Sequence, residues 1–184
     1  MNEKIAVYTE KMQKSLASYT EDLAKIRTGR ASISLLDDVR VEAYGTSMPL
    51  NQVASLTLPE SRMIAIQPWD AQLLGAIEKA IHKADLGLTP VSDGKIIRIT
   101  VPQLTEERRK ELVKQVRKVA EEYRVAIRNI RREANEAFKK MKKEKEISED
   151  DQFKLQDEIQ KVTDEYIKKI DTAMAEKEKE VMEV

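Results

Sequence analysis

Apolar residues recur at Leu112, Val116, Val119, Tyr123, Ile127, Ile130, Ala134, Ala137 and Met141, through a stretch from Thr105 to about Ile147 that contains neither Gly nor Pro. Steps of three and four predict one long amphipathic helix, roughly 60 Å at ~1.5 Å per residue. Ile5, Tyr8, Met12, Leu16, Tyr19, Leu23 and Ile26 predict a first helix over about 2–28, stopped at Gly29 with Lys25 and Arg27 in its last turn. Leu155, Ile159, Val162, Tyr166, Ile170, Ala173 and Met174 predict a third helix. Ser148 is placed as its N-cap, with Glu149, Asp150 and Asp151 in the first turn, and the pattern fades over 176–183, where fraying is expected. No amphipathic helix buries its seam alone, and the short polar link at 145–149 makes the last two antiparallel neighbours, so a three-helix bundle follows.

Between Gly29 and Thr105 the period changes from helical to alternating, with predicted strands at Val39–Tyr44, Val53–Leu58, Met63–Gln67 and Ile96–Val101. Tyr44-Gly45-Thr46, Met48-Pro49 and Ser92-Asp93-Gly94 mark turns, and one helix is predicted over about Ala71–Ala84. The fold class is therefore α+β: a long antiparallel three-helix bundle from 1–30 and 104–184, with a small α/β domain of 31–103 inserted into it. Two passes of chain, near Arg30–Ser32 and Pro102–Thr105, must join the domains and can act as a hinge of restricted freedom.

Charge changes the picture. The net charge is zero, from 33 basic and 33 acidic residues, yet residues 108–145 carry 15 basic and 6 acidic side chains while 146–184 carry 6 and 13. On a wheel of ~100° per residue counted from Tyr123, one flank of the long helix carries Lys110, Arg117, Arg124, Arg128, Arg131, Arg132, Lys139 and Lys142. The other flank carries Glu111, Glu122, Glu133, Glu136 and Glu144. Arg131 at about 80° and Arg128 at about 140° from Tyr123 are expected to project outward. Three readings of this flank remain open: contact with RNA or another polyanion, pairing with the acidic third helix, and plain solvation. Segregation of the acids and the choice of Arg, whose planar fork suits phosphate, favour RNA.

Other chemistries find little support. There is no Cys, which removes thiol and Cys-based zinc chemistry and fits a reducing compartment. His82 is the single histidine, set among Lys79, Lys83 and Asp85 with no nucleophile at a recognisable spacing, and the scattered glycines make no phosphate loop. No catalytic residue and no metal site is expected. Trp69, after Pro68, is expected to pack in the local core or at the hinge. The first residues look neither like a secretory signal nor like a transit peptide, and no apolar run approaches ~18 residues, so the protein is expected to be cytoplasmic and to engage no membrane.

Several stretches together resemble the ribosome recycling factor family from end to end. They are Arg27-Thr28-Gly29-Arg30-Ala31, Asp85-Leu86-Gly87-Leu88, the run Leu104-Thr105-Glu106-Glu107-Arg108-Arg109-Lys110-Glu111-Leu112, Val125-Ala126-Ile127-Arg128-Asn129-Ile130-Arg131-Arg132, and Lys145-Glu146-Ile147-Ser148-Glu149-Asp150. The resemblance implies an overall L shape with a hinge, and a non-enzymatic translation factor acting after termination. Its partners would be the large ribosomal subunit with its ribosomal RNA, and elongation factor G, which uses the GTP; the chain itself needs no cofactor and works as a monomer. Carried over by motif, Arg131 and Arg128 lead as RNA contacts, followed by Arg132, Arg124, Arg117 and Arg27. Arg30, Ala31, Ser32, Pro102, Gln103 and Thr105 belong to the hinge. Ile33 stands where many members have Pro, which leaves the entry to the insert freer. An RNA-binding or adaptor protein without recycling activity is the rival reading.

Overall fold

The structure, a computed structural model, describes residues 2–183. It divides into two compact units, one of Met1–Thr28 with Glu106–Val184 and one of Gly29–Thr105. Among the described residues there are four α-helices: α1 (Glu3–Ala24), α2 (Leu74–Lys83), α3 (Glu106–Lys143) and α4 (Glu149–Met182). Six strands accompany them: β1 (Arg40–Ala43), β2 (Thr46–Pro49), β3 (Ala54–Glu60), β4 (Met63–Pro68), β5 (Pro90–Ser92) and β6 (Ile97–Thr100).

In the first unit α1, α3 and α4 all pack on one another. The side-chain pairs Lys11–Glu133 and Tyr123–Asp22 set α1 antiparallel to α3, and Lys142–Glu149 with Arg117–Glu178 do the same for α3 and α4. Ile5, Met12 and Tyr19 of α1 meet Val116, Ile127 and Phe138 of α3 and Ile159 and Ile170 of α4 in a core whose side chains are fully buried. Tyr19 donates its hydroxyl to the Ile170 carbonyl at 3.1 Å, which satisfies the one polar atom its burial would strand. Burial pushes that phenol up to about 12.

The helix ends depart from the sequence expectation for physical reasons. α1 stops at Ala24, not near 28, because the chain turns inward to bury Ile26 and Thr28, and the Thr28 hydroxyl donates to Glu180 at 3.1 Å. Lys25 and Arg27 thus lie past the last turn. α3 stops at Lys143, short of Ile147. Lys145 takes a left-handed conformation (φ 62°), and the bonds from Lys145 N–H to Lys142 O and from Glu146 N–H to Met141 O close a Schellman turn with no glycine to announce it. Since left-handed backbone costs a non-Gly residue ~1–2 kcal/mol, Lys145→Gly is expected to stabilise this unit by a net ~1 kcal/mol and so to raise its denaturation midpoint. Chemical denaturation followed by circular dichroism checks it. α4 is helical through the stretch where the sequence predicts fraying: it runs to Met182, with Val181 fully buried and Glu180 accepting from Thr28. Its start is as expected, Ser148 and Asp151 forming a reciprocal capping box.

In the second unit β3, β4, β6 and β5 form an antiparallel sheet in that order, and β1 and β2 form a separate hairpin. Ile64 and Ile66 of β4, Ile97 and Ile99 of β6, and Ile77 and Ile81 of α2 make the centre of one core. The Tyr44-Gly45 turn of the hairpin has both residues at positive φ (53° and 78°), the type I′ geometry that matches strand twist. β2 and β5 are short and lack a clean alternation, so the sequence reading missed both. Residues 71–73 form a 3-10 turn ahead of α2. Trp69 does not pack in the core; it is 67 % exposed, one residue past the end of β4, where the inward phase of Ile64 and Ile66 continued beyond Pro68 points it to the opposite side.

The residues expected at the hinge are held unequally. Ala31 N–H bonds to Ser61 O and Val101 N–H to Arg62 O, each at 2.8 Å, so both passes are pinned to the same turn between β3 and β4. Ser32 caps a 3-10 turn over Ile33–Leu36. Arg30, Pro102, Gln103 and Thr105 are exposed. The two passes touch: a Cβ on Gly29 (φ 78°) would lie 2.9 Å from Leu104 Cγ.

Candidate nucleic-acid interface

The buried stripe of α3 is Leu112, Val116, Ala120, Ile127, Ala134 and Phe138. It is rotated by roughly 40° from the seam counted on Tyr123. Tyr123 faces α1: its hydroxyl donates to Asp22 at 2.5 Å and its ring lies 5.3 Å from that of Tyr19. The hydrogen bond to Asp22, with burial, pushes its phenol up to about 12.

The rotation moves every arginine relative to its expected place. Arg131 does not project freely outward; it is half-buried against α4, where Nη1 donates to Gln160 Oε1 at 3.0 Å while Nε is enclosed without a partner. Arg124 is held more firmly. Its side chain is 17 % exposed and bonds through Nε to Asp171 at 2.7 Å, and through Nη1 to Glu121 at 3.0 Å. Arg117 bonds through Nε to Glu178 at 2.6 Å. Pairing with the acidic third helix, one of the three sequence readings, therefore describes Arg117 and Arg124.

Arg128 and Arg132 sit further from the stripe and look outward. Arg128 reaches Glu121 at 3.2 Å, and Arg132 makes only a long 3.5 Å contact with Asn129 Oδ1. Lys139, exposed, lies two turns beyond Arg132. Arg27 is exposed beyond the end of α1, away from this ridge in sequence. Glu121 is what the sequence reading missed. Its place some 160° from Tyr123 was countable on the same wheel, and it sits among the arginines, where hydrogen bonding by Arg124 and then Arg128 lowers its carboxyl pKa.

The ridge is thus graded. Arg124 is largely committed to internal carboxylates, whereas Arg128, Arg132 and Lys139 meet solvent with weak or no internal partners, and an exposed pair such as Arg128–Glu121 stabilises by only ~0.2–1 kcal/mol. A phosphate backbone could take these side chains at little cost. Elsewhere, an open groove of about 760 Å³ between the β1–β2 hairpin and α2 has Arg40, Lys79 and Lys83 mixed with Asp38 and Glu42. Among the described residues no group of three or more His, Cys, Asp or Glu is placed to hold a metal ion, and no helix is long and apolar enough to cross a membrane.

Comparison with known proteins adds to this geometry. The profile of the ribosome recycling factor family matches residues 19–182. The ribosome-recycling factor of Desulfotalea psychrophila is 64 % identical over 184 residues, all of both chains, and those of Caldicellulosiruptor bescii and Syntrophobacter fumaroxidans are 56 % and 55 % identical over the same length. Among solved structures, a solution structure of a ribosome recycling factor superposes with a TM-score of 0.78 at 41 % identity, over the whole of both chains. A Thermus thermophilus ribosome recycling factor, described with Escherichia coli elongation factor G on the post-termination complex, superposes at 0.65 with 50 % identity over 98 % of both.

Proposed function

The chain belongs to the ribosome recycling factor family, and from that premise we propose how its two units divide the work. It is a translation factor that binds the post-termination ribosome and, together with elongation factor G, promotes separation into subunits. The observation that carries this is identity running across both units at once, since a shared bundle alone would fit any helical RNA binder. The bundle is the ribosome-binding unit, through Arg128, Arg132 and Lys139 of α3, with Arg117, Arg124 and Arg131 placed beside them by α4. The second unit moves on Gly29–Arg30 and Pro102–Thr105, while Ala31 and Val101, both pinned to the β3–β4 turn, move with the sheet. GTP is hydrolysed by elongation factor G, the chain contributes no catalytic group or cofactor, and it works in the cytoplasm.

Gradient sedimentation of post-termination ribosomes with the protein, elongation factor G and GTP tests the reading: separation into subunits is expected, and intact ribosomes in its place would refute it. The face has its own test. Arg132→Ala should leave the melting temperature nearly unchanged, as surface changes stay within ~0.5 kcal/mol. Affinity for large subunits should fall, and the slope of log affinity against log salt should become shallower by ~0.7–0.9 for each phosphate no longer neutralised. Arg128→Ala should act alike, and Glu122→Ala should not. Wild-type affinity and slope in both arginine variants would show a merely solvated ridge.

A further inference from the structure

The chain has two phenylalanines with opposite fates: Phe138 is fully buried and Phe153 is 61 % exposed. The pairs between α3 and α4 locate the exposed one. Gln160 bonds Arg131, and Glu149 pairs with Lys142. Phe153 lies two turns before Gln160 and one turn after Glu149, so it shares their side of α4. Interpolated between those two pairs, it stands level with Phe138, beside Lys139 on the outer flank of α3.

Along this seam α4 answers Arg117 with Glu178, Arg124 with Asp171, Arg131 with Gln160 and Lys142 with Glu149. At the step between Gln160 and Glu149 it presents a ring, next to a lysine that joins none of these pairs. A carboxylate there would have neutralised Lys139 and repelled phosphate; a ring does neither and offers a flat face for stacking. Resting on the reading of this ridge as the RNA-binding face, we infer that Phe153 is an aromatic anchor that stacks on an unpaired base of ribosomal RNA, flanked by Arg132 and Lys139 on the phosphates. Stacking is sequence-tolerant and independent of counterions, so it adds an affinity component of a different kind from the arginines.

Binding of Phe153→Ala, Phe153→Leu and Phe153→Trp to purified large ribosomal subunits, across a salt series, tests this. The Ala and Leu variants should lose about 5- to 100-fold in affinity, the range for one base–aromatic stack, with the salt slope unchanged, and Trp should restore binding. When Phe153→Trp is combined with Trp69→Phe, the single indole left in the chain should lose emission as subunits are added. Wild-type affinity of Phe153→Ala, full retention by Phe153→Leu, or a slope made shallower would overturn the anchor, retention by Leu pointing instead to an apolar protein pocket. If Arg132→Ala weakens binding and Phe153→Ala does not, the RNA face stands and the anchor falls; if neither does, both fall.

Discussion

A chain in which residues 32–103 are replaced by a short glycine–serine linker is expected to remain a helical bundle, bind large ribosomal subunits, and lose all capacity to separate post-termination ribosomes. Gly29 and Leu104 already lie side by side, so a few residues close the gap. The core of Tyr19, Val116, Ile127, Phe138, Ile159 and Ile170 comes entirely from α1, α3 and α4, and the ridge of α3 lies in the same unit. Circular dichroism, sedimentation with large subunits and the separation assay read the three outcomes. An unfolded product would show that the bundle depends on the inserted unit, and retained separation would remove the division of labour between them.

Phe138→Ala is expected to destabilise the bundle by about 3–5 kcal/mol, the usual range for emptying a buried aromatic site. Its ring is fully buried and meets Tyr8 edge-on at 6.0 Å, so the cost combines transferred area, a cavity and an aromatic pair. Denaturant titration should show the helical transition moving to lower concentration. Phe153→Ala, by contrast, should move it by no more than ~0.5 kcal/mol. Equal effects would mean that the two rings are not divided between core and surface as described.

The difference between those two residues also marks where the sequence was legible. Three helical seams and an inserted sheet follow from periodicity and turn residues, because burial on one face leaves a regular trace. α3's true facing does not. It depends on two neighbours covering it at once, and Tyr123, the residue chosen to centre the wheel, is tied by Asp22 to α1, off the middle of the stripe. A rotation of some 40° then decides whether Arg124 and Arg131 meet solvent or α4. The end of α3 was hidden for a different reason: Lys145 performs a glycine's role without being one. Trp69 misled through size alone, since residue type says nothing about which way a residue just past the end of β4 points.

The pairing of Thr28 with Glu180 has a consequence for the order of synthesis. Those residues are 152 positions apart, and Val181 is buried, so α1 meets α3 first and gains its last partners only once α4 has been made through residues 180 and 181. Residues 29–105 have all their core contacts among themselves and can condense while α1 waits, its apolar stripe uncovered. A nascent chain of this protein therefore carries a finished sheet unit while its bundle is still open, and the bundle closes only after α4 has been made through Val181.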